Sequence, residues 1–372
     1  MSSNRTIVCG AGVIGASIAY HLALRGIAAT VIERGGVACA ASGKAGGFLA
    51  RDWCDGSPLG PLARTSFRMH AELARRIDDD YGYRAMTTFA VTARSAGAIE
   101  ADNARVGAAW LDGDCAVHTR LGGTDSTAQV HPRRFTRALM DAAQSMGAQL
   151  VDGRVEGVSV GGSPACVRGV RVDGALVPAD TVIVAMGPWS TAAARGLPLP
   201  EVGGLKGFSI TLAPEHRSAP LPAHALFADY DDGHGGYFAP EIFARPDGEI
   251  YLCGLSDDRP LPEDPRDIHG DAGATATLRK IAARLSSRLE DARVTSENAC
   301  YRPIFPDALP VMGEVPGVGG AYVATGHNCW GILNAPASGA AIAELVVDGV
   351  SSSVDLRPFS AQRLLVFART RN

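Results

Sequence analysis

The stretch RTIVCGAGVIGASIAYHLALRGIAATVIERG, residues 5–35, decides the fold. Its opening run RTIVCG predicts a buried strand, VIGASIAYHLAL predicts a helix closed by Gly26, and AATVIE predicts a second buried strand. Two strands joined through one helix form a βαβ unit with parallel strands and a right-handed crossover. The chain is therefore predicted to begin with a parallel α/β sheet.

Three glycines after the first strand, Gly10, Gly12 and Gly15, have the spacing GxGxxG. Gly10 permits a tight turn, Gly12 lets the backbone approach a pyrophosphate, and Gly15 lets the helix pack closely on the strand. Glu33, at the end of the second strand, can accept hydrogen bonds from ribose hydroxyls. This fingerprint predicts a dinucleotide, either FAD or NAD, and the alternative is a purely structural Gly-rich turn. The residues predicted to bind the dinucleotide here are Gly10, Gly12, Val13, Ile14, Gly15, Glu33 and Arg34.

The composition limits the class of protein. The chain has 372 residues, enough for two domains, and its hydrophobic (46%) and charged (20%) fractions are typical of globular proteins. The net charge is −4 and the basic residues are scattered, so nothing predicts nucleic-acid binding. The eight cysteines contain no Cys-x-x-Cys pair, which argues against a zinc site and a disulfide scaffold. The first predicted strand lies close to the N-terminus, and the apolar run VIGASIAYHLAL is short for a membrane span. We therefore expect a cytoplasmic protein without a membrane-spanning segment.

A different pattern begins near residue 205. FSITLAP and GYFAPEIFARPDGEIYLCGL read as strands, and ARPDGEIY has the chemistry of a hairpin turn. Three helices are predicted outside the βαβ unit, from the segments PLARTSFRMHAELARRIDDDYG, HPRRFTRALMDAAQSMGA and AGATATLRKIAARLSSRLED. We predict an α/β plus α+β protein, in which residues 1–80, 126–204 and 298–372 bind the dinucleotide. Residues 81–125 and 205–297 are predicted to form a substrate-binding domain with a mainly antiparallel sheet.

The segment AASGKAGGFLARDW, residues 40–53, distinguishes between the two dinucleotides. Here the sequence resembles the FAD-dependent amino-acid and amine oxidoreductases, the family of D-amino-acid oxidase, glycine oxidase and monomeric sarcosine oxidase. The resemblance covers nearly the whole chain and is closest to a branch of FAD oxidoreductases whose substrates the sequence does not name. It implies FAD as cofactor and a loop that runs past the pyrophosphate and under the flavin ring. The flavin contacts implied in this loop are Ser42, Lys44, Ala45, Gly46 and Gly47.

Three further segments carry the resemblance. GRVEGVSV (153–160) resembles the family's strand over the adenine, and VIVAMGPWS (182–190) resembles its turn near the flavin. The C-terminal YVATGHNCWGILNAPASG (322–339) resembles a Gly-His loop followed by a helix, whose N-terminus would stabilise the reduced flavin. The contacts implied by these segments are Val155, Ala185, Gly187, Trp189, Gly326, His327, Gly331 and Ile332.

The stretch ENACYRPIFPDALPVMG, residues 297–313, carries the substrate contact that the resemblance implies. Arg302-Pro303 matches the family's Arg-Pro, whose guanidinium holds the substrate carboxylate through charge-assisted hydrogen bonds. The alternative is an arginine paired with a nearby acid such as Asp307. Cys300 matches the cysteine to which sarcosine oxidase attaches FAD, although we expect a non-covalent cofactor and a structural thiol here.

One position near the flavin departs from the family pattern, and a second residue is a candidate for the missing role. Sarcosine oxidase has a lysine in the C-terminal loop that assists the reaction with oxygen, and the corresponding residue here aligns as Trp330. Lys206 is then the other cationic candidate near the flavin, with an exposed loop lysine as the alternative. The electron acceptor, O₂ or another molecule, is therefore left open.

Two residues in the predicted substrate domain are further candidates. Glu241 aligns with a tyrosine of glycine oxidase that contacts substrate. If it faces the cavity, Glu241 could hold a substrate ammonium or pair with Arg302, and a solvated strand-edge carboxylate is the alternative. Tyr237 lies close by in sequence and is also predicted to contact substrate.

The resemblance implies oxidation of the C–N bond of an amino or imino acid. A hydride moves from the α carbon to flavin N5, and water hydrolyses the resulting imine, so the protein mainly orients the substrate and excludes water. Its partner is then a small amine or amino acid. Three alternatives remain at this point: oxidation of an N-modified amine or hydroxy acid, a non-enzymatic flavoprotein assembly factor, and an NAD dehydrogenase.

Overall fold

A computed structural model describes residues 5–193, 195–214 and 221–369 of the chain. The described α-helices, numbered along the chain, are α1 (Val13–Leu24), α2 (Ala41–Lys44), α3 (Leu59–Arg76), α4 (Pro132–Ser145), α5 (Ser190–Ala193), α6 (Ala272–Leu285), α7 (Ser287–Glu290), α8 (Gly331–Asp348) and α9 (Gln362–Arg369). The strands are β1 (Thr6–Cys9), β2 (Thr30–Glu33), β3 (Phe48–Ala50), β4 (Arg84–Ala85), β5 (Thr87–Arg94), β6 (Cys115–Gly122), β7 (Thr127–Gln129), β8 (Gln149–Asp152), β9 (Val155–Gly161), β10 (Cys166–Val172), β11 (Ala175–Pro178), β12 (Thr181–Val184), β13 (Gly203–Ala213), β14 (His224–Asp231), β15 (Tyr237–Phe238), β16 (Glu241–Ala244), β17 (Ile250–Asp257), β18 (Arg293–Ile304), β19 (Val311–Glu314) and β20 (Ala321–Thr325).

The predicted βαβ unit forms the middle of a six-stranded sheet. Its strand order is β19-β20-β12-β1-β2-β8, and every pairing is parallel except that between β19 and β20. All four residues of β1 and of β12 are buried, as expected for parallel strands covered on both faces. Helices α1, α4 and α8 pack together over this sheet, so the apolar core of this part of the chain lies between them and β1.

A second, eight-stranded sheet has the order β18-β13-β17-β16-β14-β5-β6, with β15 paired to β14. It is antiparallel except for the pairing of β14 with β5. Helix α6 covers one face, where Leu278 and Ile281 are fully buried. The sequence thus predicted a parallel and a mainly antiparallel sheet correctly. Strand β18 continues across residue 297, where the predicted domain boundary lies, so the division into domains stays a prediction.

Two predicted helices end earlier than expected. Helix α3 stops at Arg76, because Ile77 has an extended backbone (φ −90°, ψ 118°) and residues 77–82 form turns, so the prediction of an end at Gly82 was wrong. The segment predicted as one helix near residue 285 is two helices. Ser286 is extended between them (φ −157°), caps α7 through its side chain, and donates its hydroxyl to the carbonyl of Trp110.

The longest apolar helix of the described residues is near the C-terminus and not in the βαβ unit, contrary to expectation. The segment Asn328–Asp348, which includes α8, has the length and hydropathy of a membrane span, and 67% of its most apolar window is buried inside the protein. It packs on α1 and α3, and the Ser17 hydroxyl of α1 donates to the carbonyl of Ala335 at 2.8 Å. Its apolar residues are therefore used in the protein core.

The imidazole of His70 on α3 connects that helix to the start of α8. It is fully buried, and its Nε2 lies 3.0 Å from the carbonyl oxygen of Ile332 and 3.1 Å from that of Leu333. Because both acceptors are carbonyl oxygens, the single ring hydrogen of the neutral imidazole must be on Nε2. Burial lowers the pKa of His70 from 6.5 to about 4, so the ring is uncharged in the folded protein near neutral pH.

We expect the replacement His70→Gln to reduce the acid sensitivity of the fold. As the pH is lowered from 7 to 4, the unfolded chain takes up a proton at this histidine and the folded chain does not. The free energy of unfolding therefore decreases as the pH decreases. This histidine contributes up to about 3 kcal/mol to that loss. The free energy of unfolding, measured with urea at several pH values, should therefore decline less steeply in His70→Gln. Substitution of the exposed His118 by Gln is the control, and an equal decline in all three proteins would contradict the assignment.

Candidate active site

A large cavity extends from the GxGxxG turn to the end of β18. Its volume is about 1060 Å³, and its wall is formed by residues of both large sheets and by the loops before α2 and α8. Of the predicted site residues, those in the wall are Gly10, Gly12, Val13, Ile14, Glu33, Arg34, Ser42, Ala45, Gly46, Val155, Ala185, Gly187, Trp189, Glu241, Cys300, Arg302, Gly326, His327, Gly331 and Ile332. The structure therefore brings together residues that are up to about three hundred positions apart in the sequence.

The first glycine turn is shaped so that it cannot carry side chains at two of its three glycines. Gly10 has φ of 102°, and a Cβ there would lie 2.6 Å from the carbonyl oxygen of Ala185. A Cβ on Gly15 would lie 1.9 Å from the carbonyl oxygen of Gly10, so this glycine serves helix packing and is not itself in the wall. The result is a turn whose backbone is exposed to the cavity at the start of α1.

Two side chains order this turn. The Ser42 hydroxyl accepts a hydrogen bond from the N–H of Val13 at 2.9 Å, and the Glu33 carboxylate accepts from the N–H groups of Ala11 and Gly35, each at 2.9 Å. The first turn of α1 has no acidic residue of its own, so the positive end of its dipole lies at the cavity beside the Glu33 carboxylate. This end of the cavity suits the phosphates and ribose of a dinucleotide.

A second helix N-terminus meets the cavity on the opposite side. Helix α8 begins at Gly331 and has neither a side-chain cap nor an acidic residue in its first turn. His327, just before it, is buried, and its Nε2 lies 3.0 Å from the hydroxyl of Ser338, while its Nδ1 has no partner among the described residues. Burial lowers the pKa of His327 to about 3, so a neutral imidazole forms this part of the wall.

At the far end of the cavity the wall carries one guanidinium and one carboxylate. Arg302, on β18, forms no ion pair with any described carboxylate. The alternative that it pairs with Asp307 is wrong, because Asp307 pairs with Arg363, with 2.6 Å between Oδ2 and Nε. Glu241, on β16, faces the same space and is not a solvated edge residue. Burial raises the pKa of its carboxyl group, and the nearby Arg302 lowers it.

Three thiols surround this pair of charges. Cys300 is two residues before Arg302 on the same strand, and Cys253 is paired in register with Glu241. The Cys253 thiol lies 3.8 Å from Oε2 of Glu241. Cys329 contributes a third thiol from the loop before α8. Burial raises the pKa of all three thiols, so they are protonated near neutral pH.

Three residues predicted to act on substrate or oxygen are not in this wall. The Nζ of Lys206 lies 3.9 Å from Asp257 and 5.0 Å from the centre of the Phe208 ring, so it is a buried, paired lysine. Tyr237 is 79% exposed. Trp330 packs against the core around α8, and the neighbouring Cys329 faces the cavity instead.

Two predicted flavin contacts also lie behind the wall. Lys44 does not line the cavity, although its charge is close enough to lower the pKa of Cys300. Gly47 has φ of 87°, and a Cβ there would lie 2.0 Å from the carbonyl oxygen of Val130, so it is needed for the course of the loop. The sequence analysis missed two thiols of the wall, those of Cys253 and Cys329. Cys253 could have been found from its pairing with Glu241 in the sheet. Cys329 is the residue directly before the predicted Trp330.

The comparisons with known proteins agree with this arrangement. Over residues 5–345 the chain matches the family described as FAD dependent oxidoreductase. The chain belongs to this family. An oxidoreductase from Schizosaccharomyces pombe is 32% identical to it, over 96% of this chain and 97% of that protein. Glycine oxidase from Geobacillus kaustophilus is 29% identical over 96% of each chain. A crystal structure of glycine oxidase from that organism has a TM-score of 0.79 at 26% identity, covering 97% of this chain and 98% of that one.

Family membership confirms the predicted fold, the FAD cofactor and the enzymatic class, and it excludes the NAD dehydrogenase and the non-enzymatic alternative. The residues present fit the cofactor. Two helix N-termini without an acidic residue in their first turns face the cavity, and Glu33 stands where the ribose hydroxyls are expected. Which of the wall residues contact FAD remains a prediction.

We expect acid denaturation to release all of the FAD from this protein. Family members bind FAD mostly without a covalent bond. In this chain burial also keeps the Cys300 thiol protonated, and a thiol is a much weaker nucleophile than a thiolate. After acid precipitation, the flavin absorbance should appear in the supernatant for the parent, for Cys300→Ser and for the control Cys253→Ser. A yellow pellet in the parent and in Cys253→Ser, but not in Cys300→Ser, would establish a thioether instead.

Proposed function

We propose that this chain oxidises the C–N bond of an amino or imino acid to an imine that water hydrolyses. The single observation that carries the proposal is Arg302: a guanidinium without a carboxylate partner in the wall of a cavity that fits FAD. Arg302 is half-buried and has no ion-pair partner among the described carboxylates, so this position is suited to an anionic group of the substrate. The similarity to glycine oxidase supports an amino acid as the source of that anion.

The geometry of β18 supports the role of Arg302 as a carboxylate clamp. The strand is paired with β13 from Arg293 to Ile304, and Arg302 lies opposite Leu205 in that ladder. Pro303 follows directly and restricts the backbone of the residue before it. A planar guanidinium on such a support can give two parallel hydrogen bonds to one carboxylate, which fixes the orientation of the α carbon as well as its position.

The remaining chemistry requires no acid–base triad in the wall. Bound FAD supplies the hydride acceptor for the carbon next to the amine nitrogen. The chain's own residues bind the carboxylate, keep the thiols of the far end neutral, and surround the reacting carbon with a largely apolar wall that excludes water. The neutral His327 adds no positive charge at the start of α8, where the helix N-terminus and the guanidinium of Arg302, which acts on the thiol of Cys329, supply the local positive potential.

The proposal is tested by anaerobic bleaching of the flavin absorbance. The purified holoenzyme is mixed with D-, L- and N-methyl amino acids and with hydroxy acids of the same carbon skeleton, and loss of the absorbance is followed. Bleaching by amino or imino acids alone is the expected result. Bleaching by hydroxy acids alone, or by no member of the panel while dithionite still reduces the flavin, would refute the proposed C–N oxidation.

Replacement of Arg302 separates substrate binding from cofactor binding. The variant Arg302→Ala should retain FAD at one per chain, while the substrate concentration for half-maximal bleaching rate rises about a hundredfold, because two charge-assisted hydrogen bonds are lost. The control is Arg68→Ala, which removes an exposed arginine paired with Glu72 and should change neither value. An unchanged half-maximal concentration in Arg302→Ala would contradict the clamp.

A further inference from the structure

The far end of the cavity holds two opposite charges that are not joined to each other. Glu241 and Arg302 both line it, and they are close enough for the guanidinium to affect the carboxyl group electrostatically. They nevertheless form no ion pair in the described structure. Because both side chains face the cavity, the space between them is accessible to a molecule with charges of its own.

The other charged residues of the wall belong to the opposite end. They lie on or against β2, β9 and β10, around the glycine turn and Val155, and are Glu33, Arg34, Arg154, Glu156, Arg171, Arg195 and Glu263. Several of them already have partners there, since Arg154 pairs with Glu263 and Arg34 donates to the carbonyl of Glu263. Among the described wall residues, the charge available to a substrate beside Arg302 is therefore that of Glu241.

Apart from Arg302, the described residues around Glu241 provide no cation for it. In register beside it are Phe227 on β14 and Cys253 on β17, and the Cys253 thiol is a weak donor 3.8 Å from Oε2. The Phe227 ring packs in turn on Phe48 and Trp53, with ring centres 5.0 Å and 4.7 Å apart. A carboxylate placed against aromatic rings and a thiol is unfavourable unless a cation reaches it.

The charge balance of the reaction indicates what that cation is. Hydride loss from the α carbon requires a lone pair on the reacting nitrogen, so the reacting amine is neutral and a simple amino acid brings only its negative carboxylate. That carboxylate pairs with Arg302 and leaves Glu241 without a partner. A carboxylate bound to the reacting nitrogen itself would favour the protonated, unreactive amine. A substrate with a second, cationic nitrogen pairs with both side chains and leaves no charge in the wall unbalanced.

We propose that Glu241 binds a second cationic nitrogen of the substrate, so that the enzyme prefers amino acids with a basic side chain whose carboxylate lies on Arg302. This inference rests on the proposed function and specifies its substrate class. Glu241 then determines specificity through direct contact with the substrate, on a strand separate from the one that carries Arg302.

The test compares amino acids that differ only in the cation. Anaerobic bleaching of the holoenzyme is measured with lysine and ornithine and with their neutral counterparts norleucine and norvaline, each as both enantiomers. For each pair, the ratio of the two bleaching efficiencies (limiting rate divided by half-maximal concentration) gives the preference for the cationic member. The parent, Glu241→Gln, Glu241→Asp and the control Glu72→Gln are compared, the last because Glu72 is exposed on α3 and paired only with Arg68.

We expect the parent and the control to prefer the cationic member at least tenfold. In Glu241→Gln that preference should fall about ten- to hundredfold, the value of a hydrogen bond to a charged group. The loss should appear in the half-maximal concentration for lysine or ornithine and exceed any change in the values for the neutral amino acids. Glu241→Asp, which keeps the charge, should retain part of the preference and also shows that the site tolerates substitution.

The inference and the proposed function fail in different ways. Equal efficiencies for cationic and neutral amino acids in the parent, or an unchanged preference in Glu241→Gln, would overturn the role of Glu241 and leave amino-acid oxidation in place. Bleaching by none of the amino acids, with dithionite still reducing the flavin, would overturn both. A preference for the neutral members would also contradict the inference.

Discussion

The close contact between helix α1 and strand β1 is the constraint on which the site depends. Gly15 lies so near the carbonyl of Gly10 that no side chain fits between them, and this contact sets where the helix N-terminus meets the sheet edge. From that point the chain places Val13 and Ile14 at the cavity and lets Ser42 bond to the turn. Helix α8 packs on α1 through Ser17, where a Cβ on Gly339 would lie 2.2 Å from the serine hydroxyl. The two helix N-termini that face the cofactor cavity are thus positioned through small residues.

The substrate end of the cavity is controlled differently, by strand register. Arg302, Cys300 and Glu241 come from β18 and β16, and the ladders through β13 and β17 determine which residues stand opposite one another. Burial then sets their protonation: the thiols stay neutral, and the one carboxyl group at this end has a raised pKa that Arg302 partly counteracts. The cofactor end combines the backbone groups of two helix N-termini with charged side chains such as Glu33 and Arg154, whereas the substrate end has two charges, those of Arg302 and Glu241.

Most of the residues predicted for the cofactor end line the cavity, because the sequence features that place them there are local. A glycine spacing between a strand and a helix, with an acid at the next strand end, leaves few alternatives for the backbone. The substrate end was less predictable, since cavity-facing positions there follow from tertiary pairing. Lys206 is on a strand whose neighbour supplies Asp257 as its partner, and Tyr237 is two residues beyond a turn that carries it into solvent. In the loop before α8, the side of the chain that faces the cavity is that of Cys329 and not that of the neighbouring Trp330. Neither periodicity nor propensity resolves such single-residue choices.

The separation of Arg302 and Glu241 onto different strands has an evolutionary consequence. The guanidinium is fixed within a twelve-residue strand paired along its whole length, whereas Glu241 begins a four-residue strand that ends in a Pro-Asp-Gly hairpin. On the roles proposed above, a change at position 241 leaves the strand that carries the carboxylate clamp unchanged. Substitution in this short strand would then alter the side-chain preference of the enzyme while the binding of the carboxylate is kept. A fold that divides the two tasks between separate strands can pass from one substrate to another without losing the contact to the group that all amino acids share.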